Sequence, residues 1–194
     1  GLPTSATIMY GHIDGPQHWA AHIALLRDIQ KETGGFTELV PLSFVHTDSP
    51  LYMQNPDKVR AGATADEINK MHAVSRIMLH GWIDNIQVSW TKLGSKRARE
   101  LLNYGVNDLG GTLMNESISR AAGSKHGQEI TARELVSLIR SADRIPVRRN
   151  TVYKTVDIFH DHDPVELAPL VSRQGQDPLA FLEMFPDRQK QPAR

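Results

Sequence analysis

The sequence contains no cysteine among its 194 residues. This absence excludes disulfide bonds, thiol nucleophiles and every metal or iron–sulfur site that is built on thiolates. The sequence also lacks an excess of either charge, because 22 basic residues balance 22 acidic ones, and the basic residues gather only at 96–99 and 148–149. A broad basic surface is therefore absent, and we expect no nucleic-acid partner.

Long apolar runs are absent as well. No stretch approaches the roughly 20 apolar residues that span a bilayer. The first residues, Gly1 to Thr4, have neither the basic nor the apolar region of a signal peptide. We therefore expect an intracellular protein, cytoplasmic by default, with no membrane partner.

The residues that are present alternate between strand and helix patterns. Residues 6–11 form a short apolar run, and apolar residues recur at helical spacing over 16–33, before Gly34 and Gly35. Residues 36–44 form a second β-like run, in which Pro41 predicts a strand end or a bulge rather than a central ladder position. A long loop is expected to follow.

Two capping boxes predict the next helices. Thr64 and Glu67 have the spacing in which each side chain satisfies a backbone amide of the first turn, and Thr131 and Glu134 repeat it. The first helix is predicted to end near Gly81. A short basic helix is predicted over 95–103, a strand within 152–159 and a short helix over 178–185. Histidines in the helical segments, among them His22, His72 and His80, are expected at core or helix-surface positions rather than as ligands.

Residues 83–90 alternate strictly between apolar and polar side chains, with Asn85, Gln87 and Ser89 on the polar face. Residues 106–110 follow as a fourth strand and turn. Strands that alternate with helices predict a parallel sheet, either open or part of a barrel. The polar face favours a barrel, because a barrel strand can present polar groups to a lumen. We therefore predict four parallel neighbouring strands near 6–11, 36–42, 83–90 and 106–110.

Five ordered motifs carry a family resemblance over residues 1 to about 153. They are TSATIMYGH (4–12), HWAAHIALLRDIQKETGGF (18–36), VPLSF with PLY (40–52), NIQVSW (85–90) and NDLGGTL (107–113). The sequence thereby resembles the FO synthase family of radical S-adenosylmethionine enzymes. Menaquinone-pathway radical enzymes that act on futalosine derivatives share some of these patterns, but residues 46–52 and Glu38 are more similar to the FO synthase branch.

The resemblance implies an α/β fold, namely the C-terminal half of a radical S-adenosylmethionine (β/α)8 barrel over 1–153, with a partly disordered C-terminal extension over 154–194. It implies transfer of the 4-hydroxybenzyl group of L-tyrosine to 5-amino-6-(D-ribitylamino)uracil, on the way to the deazaflavin precursor of coenzyme F420. The first FO synthase component is a candidate partner.

The resemblance also implies S-adenosylmethionine and a [4Fe–4S] cluster held by a Cys-x3-Cys-x2-Cys loop in the complete enzyme. This chain has no such cysteines, so we expect a fragment that is inactive alone. Two alternatives remain open. One is a non-catalytic half-barrel, or one chain of a split barrel, and the other is the futalosine-using enzyme.

Candidate substrate- or S-adenosylmethionine-facing residues follow from the strand ends, since parallel barrels place their working groups there. These candidates are Tyr10, His12, Glu38, Ser43, Gln87, Ser89, Asp108 and Gly110. No catalytic role is assigned to any of them, and no metal site is predicted.

Several of these residues have structural alternatives. Glu38 would either bind a ligand or form a salt bridge to a neighbouring strand, since a buried carboxylate needs a partner. Gln87 and Ser89 would either face a lumen or pack beside buried water. Gly110 and Gly111 would either present amides to an anion or form only a tight turn. Residues 160–163, His-Asp-His-Asp, are expected to be a solvated tail rather than a metal site.

Overall fold

The computed structural model describes residues 1–113, 116–126 and 129–160. The elements in this part of the chain are β1 (Thr4–Tyr10), α1 (Pro16–Thr33), β2 (Phe36–Ser43), α2 (Pro50–Gln54), α3 (Ala65–Met78), α4 (Trp90–Leu93), α5 (Ser95–Leu101), α6 (Ile118–Ala121), α7 (Ala132–Arg140), β3 (Val147–Arg149) and β4 (Thr155–Ile158). No helix within these ranges is both long and apolar enough to cross a membrane.

The four predicted strand positions lie side by side and run parallel. β1 pairs with β2 along its whole length, so that Tyr10 lies opposite Ser43. The third and fourth segments continue the sheet through single parallel bridges, one between Leu39 and Ile86 and one between Gln87 and Asp108. The parallel order is therefore confirmed, but a closed barrel is not formed by the residues that the structure describes.

The third and fourth strands are much shorter than predicted, and Pro41 explains why the third strand is short. The Leu39 N–H donates to the carbonyl of Asn85, and the Leu39 carbonyl accepts from Gln87, both at 2.9 Å. The next donor from β2 would be residue 41, and proline has no N–H. Pro41 nevertheless lies within β2, in regular register with Ile8, so the predicted strand end or bulge was wrong for β2 itself.

One face of this sheet is the protein core. Ala6, Ile8 and Tyr10 alternate with exposed residues along β1, and they pack with Trp19 and Ile23 of α1 in one apolar cluster. On the opposite face of β1, Met9 is 56% exposed. We call this opposite side, which carries Ser5, Met9, Glu38 and Gln87 by strand alternation, the open face.

Both capping boxes form as predicted. The Thr64 hydroxyl accepts from Glu67 N at 3.2 Å while the Glu67 carboxylate accepts from Thr64 N at 2.8 Å. Thr131 and Glu134 make the same reciprocal pair at the start of α7. The predicted long loop after β2 contains the short helix α2, which the sequence analysis missed.

The antiparallel hairpin of β3 and β4 crosses the predicted domain boundary. β4 lies within the predicted strand 152–159, and it pairs with β3 across residue 153. The predicted division between 153 and 154 therefore falls inside one hairpin. The predicted helix at 178–185, the tail and residues 161–163 lie outside the described residues.

Candidate functional site

Arg149 of the β3–β4 hairpin joins two acidic side chains of the sheet. Its Nε atom donates to Oδ2 of Asp108, and its Nη2 atom lies 3.9 Å from Oε2 of Glu38. The Ser5 hydroxyl donates to the other Glu38 oxygen at 2.7 Å. Glu38 is only 7% exposed, and its Oε2 makes no hydrogen bond within the described residues, so the nearby charge of Arg149 compensates this oxygen. No pattern in the sequence predicted a site role for Arg149.

Tyr153 covers the guanidinium of Arg149, whose central carbon lies 4.1 Å from the centre of the phenol ring. Tyr153 adopts φ +62°, a conformation that non-glycine residues rarely occupy, and the Asn150 side chain accepts from two amides of the same turn. Burial, with the Glu38 carboxylate beside it, raises the pKa of the Tyr153 phenol to about 12. The hairpin turn therefore presents Tyr153 as a neutral phenol.

Gln87 and Gly110 complete this group. A Cβ atom at Gly110 would lie 2.6 Å from the Gln87 side chain, and Gly110 adopts φ +75°. The Gly110 N–H donates to Oδ1 of Asp108 at 2.7 Å. This amide is thus already engaged, which favours the tight-turn alternative over anion binding. We call Glu38, Gln87, Asp108, Gly110, Arg149 and Tyr153 the Arg149 cluster.

The charged part of the Arg149 cluster lies well below the carboxyl ends of β1 and β2. Glu38 is the third residue of β2, and its register partner Ser5 is the second residue of β1. In parallel barrels, the working groups gather at the carboxyl ends of the strands, whereas the other end serves stability. We therefore interpret Glu38 and Arg149 as a salt bridge that stabilises the open face.

A second group forms at the carboxyl end of β1, around Asp14. The Asp14 carboxylate accepts hydrogen bonds from Nδ1 of His12 and from Nε1 of Trp19. It also accepts from the backbone amides of Gly11 at 3.0 Å and of His12 at 2.8 Å. Burial opposes ionisation, but the N–H donors outweigh it and hold the pKa of Asp14 below its usual value. The strand-end position predicted His12 as a candidate, but no pattern predicted Asp14.

The loop that precedes α3 holds this second group in place. The Arg60 N–H donates to the His12 carbonyl at 2.8 Å, and the Arg60 side chain pairs with Glu67 of the α3 capping box. Gly11 has φ +90°, and a Cβ atom there would lie 2.5 Å from the backbone nitrogen of Ala63. Only glycine therefore permits this contact between the two loops.

Three predicted site residues join neither group. Tyr10 is fully buried on the core face, where its ring meets Trp19 edge to face at 5.6 Å, and burial raises the pKa of its phenol. Ser43 is buried opposite Tyr10 in the register. Tyr10 and Ser43 were expected to face the substrate, but the structure places both toward the core. Ser89 is also buried, with its hydroxyl 3.1 Å from that of Thr91.

The donor set of this chain does not fit an iron–sulfur cluster. Such clusters are held by cysteine thiolates, and the chain has none. Within residues 1–113, 116–126 and 129–160, no three histidine, aspartate or glutamate side chains gather so that they would hold a metal ion. Any cluster ligands must therefore come from outside this chain.

Comparison with known proteins agrees with the resemblance seen in the motifs. FO synthase of Mycobacterium leprae (strain TN) is 54% identical over 153 residues, which cover 79% of this chain and 18% of the relative. The 5-amino-6-(D-ribitylamino)uracil–L-tyrosine 4-hydroxyphenyl transferase of Methanocaldococcus jannaschii is 49% identical over 157 residues, which cover 81% of this chain and 43% of the relative. The chain thus spans less than half of either relative.

A family model described as the CofH/MqnC C-terminal region matches residues 33–162. This match covers well over half of the 194 residues and contains β2 and the Arg149 cluster. The chain therefore belongs to the family of CofH/MqnC C-terminal regions.

Proposed function

We propose that this chain forms the substrate-facing part of a transferase that joins the 4-hydroxybenzyl group of L-tyrosine to 5-amino-6-(D-ribitylamino)uracil. The observation that carries the proposal is the 49% identity over 157 residues to a relative named for these two substrates. Family membership and the five sequence motifs support the same activity.

We propose further that the parallel segments are half of a (β/α)8 barrel. The Thr4 N–H of β1 donates to the Gly35 carbonyl, and the Tyr10 carbonyl accepts from the Phe44 N–H. The backbone groups of residues 4 and 10 therefore point toward β2. By alternation, the backbone groups of Ser5 and Met9 then point to the opposite edge. No described strand pairs with that edge, and in the proposal the missing half supplies one.

The unpaired edge of β1 and the exposed part of the open face around Met9 favour association with another chain. The isolated chain should therefore form a dimer or a larger assembly, or a poorly packed monomer that aggregates, as measured by light scattering. A monodisperse monomer would contradict the half-barrel, provided that it unfolds in urea in one transition with the m-value of its full length.

In this proposal, S-adenosylmethionine and the cluster supply the radical that starts the reaction. The thiolates for that chemistry lie outside this chain, so we assign no step of it to these residues. The first FO synthase component remains a proposed partner, from the resemblance alone.

The test joins this chain to the part of the Methanocaldococcus jannaschii relative that it does not match. The chimera is loaded anaerobically with iron, sulfide and S-adenosylmethionine, and is then given L-tyrosine and 5-amino-6-(D-ribitylamino)uracil. We expect the coupled product by mass spectrometry. A chimera that folds and holds its cluster, but makes no product where the intact relative does, would refute the proposal. Turnover of a futalosine derivative instead would favour the menaquinone-pathway activity.

A further inference from the structure

The His12–Asp14 pair is a built arrangement at the carboxyl end of β1, and the Arg149 cluster does not include it. We propose that His12 exchanges a proton with the bound substrate through Nε2, and that Asp14 is the positioning residue that orients it. The identity of the substrate rests on the proposed function, whereas the state of the imidazole rests only on this chain's own contacts.

The contacts of Asp14 determine which nitrogen of His12 carries the hydrogen. Every described partner of the Asp14 carboxylate is an N–H group: two backbone amides, the Trp19 indole and Nδ1 of His12. An ionised carboxylate has no hydrogen to donate, so the hydrogen in the contact must belong to Nδ1. Neutral His12 therefore has its lone pair on Nε2, where it can accept a proton.

The surroundings of His12 leave its Nε2 atom accessible for proton exchange. The His12 side chain is 23% exposed whereas that of Asp14 is 10% exposed, so the pair is sheltered at Asp14 and reachable at the imidazole. Within the described ranges, no residue forms a hydrogen bond to Nε2 of His12. The Phe44 ring lies 5.8 Å from the imidazole, centre to centre, and Arg60 holds the His12 carbonyl. The ring is therefore held in one orientation at the strand end where barrel chemistry takes place.

The proposed step is a simple proton transfer. An N–H or O–H bond of the bound tyrosine, in its ammonium or its phenol, breaks and leaves its electron pair on the tyrosine atom. A new N–H bond forms at Nε2, and the resulting imidazolium is stabilised by the Asp14 carboxylate at Nδ1. The reverse transfer returns the proton, so no further reactant is needed.

A purely structural role would also explain the pair, since Asp14 could serve only to tie the loop to α1. Replacing His12 by asparagine separates the two roles. The Asn side chain has an N–H donor close to the position of Nδ1, so His12→Asn preserves a contact to Asp14 while it removes Nε2. His80→Asn, at an exposed position, is the matched control.

The first measurement uses the chimera before it is loaded with iron, with ¹⁵N-labelled histidine, and it requires no activity. Long-range ¹H–¹⁵N NMR of the neutral His12 ring should show the hydrogen on Nδ1, and Asp14→Ala should shift it toward Nε2, the usual preference in water. A hydrogen on Nε2 in the unsubstituted chain would overturn the inference, because no lone pair would then be available at the exposed nitrogen.

The second measurement uses the active chimera described above. His12→Asn should lower kcat by about 10²- to 10⁴-fold, the usual contribution of a general acid or base, with the melting temperature and cluster content retained. Asp14→Asn should cause a smaller loss and shift the acidic limb of the pH–rate profile, while His80→Asn should leave both unchanged.

A His12→Asn chimera within a few-fold of full activity would show that the pair is only structural. A parent chimera without activity refutes the proposed function instead, and the NMR measurement then decides the inference about His12.

Discussion

His72 makes the stability of this protein depend on pH between about 6.5 and 4, mostly above the range in which ordinary carboxylates titrate. The residue lies in α3 and is 0% exposed, and its Nδ1 donates to the Ile68 carbonyl at 2.8 Å. Its Nε2 is buried and has no hydrogen-bond partner in the described part of the chain. Burial lowers the pKa of His72 from 6.5 to about 4, and the positive charge of Arg97 adds to this effect.

The sign and size of the effect follow from linkage. The folded protein keeps His72 neutral down to about pH 4, whereas the unfolded chain takes up a proton near pH 6.5. The free energy of unfolding is therefore at its full value above pH 6.5 and falls as the pH drops toward 4. A difference of this size corresponds to about 3 kcal/mol of stability at about 1.4 kcal/mol per pH unit.

The assay is urea unfolding of the chimera described above, in which the proposed half-barrel has its other half, followed by circular dichroism at a series of pH values between 7 and 4. His72→Leu keeps a side chain of similar size without a titrating group. The free energy of unfolding of the unsubstituted chimera, minus that of this variant, should therefore fall by about 3 kcal/mol from pH 7 to pH 4. His80→Leu, at an exposed site, should run parallel to the unsubstituted chimera. Parallel curves for His72→Leu would refute the reasoning.

Three further predictions concern the backbone at Gly11, the salt bridges of Arg149 and the iron–sulfur cluster. Gly11→Ala should lower the free energy of unfolding by about 2–4 kcal/mol, because it adds positive-φ strain and a backbone clash. Gly81 has φ +75° but no atom within 4 Å of its Cβ position, so Gly81→Ala should cost only about 1 kcal/mol. Equal losses in urea unfolding would contradict this. Arg149→Met should cost about 3 kcal/mol in the same assay because it leaves the buried Glu38 and the partly buried Asp108 without their cation, and a neutral result would show that the bridge contributes nothing. Anaerobic reconstitution of the isolated chain should yield no bound iron and sulfide, and a stable cluster would contradict the argument from the missing cysteines.

Local signals in the sequence were sufficient for the elements that depend on neighbouring residues. A capping box needs only residues three apart, so Thr64 with Glu67 and Thr131 with Glu134 predicted the starts of α3 and α7. The helical spacing over 16–33 likewise predicted α1. The motifs also predicted the family, because sequence similarity to other proteins can be recognised without knowing which distant residues of the chain contact each other.

The strand lengths were beyond such reasoning. Residues 83–90 alternate as a strand should, but the length of a strand is decided by the partner that hydrogen-bonds to it. The partner here contains Pro41, and only the parallel register of β2 brings that proline opposite the segment. The pattern therefore predicted the position and direction of the third strand, but not where it ends.

The candidate site divides in the same way. The sequence by itself determined that this chain has no thiolate for a cluster, and that polar groups follow the parallel strands, because composition and alternation are local properties. Only the tertiary structure decided that Tyr10 faces the core, that Arg149 reaches Glu38 from 111 residues away in the chain, and that Asp14 holds His12. The physical reason is that a buried charge requires a partner, but which partner it meets depends on how a turn, a hairpin and a sheet edge pack in three dimensions.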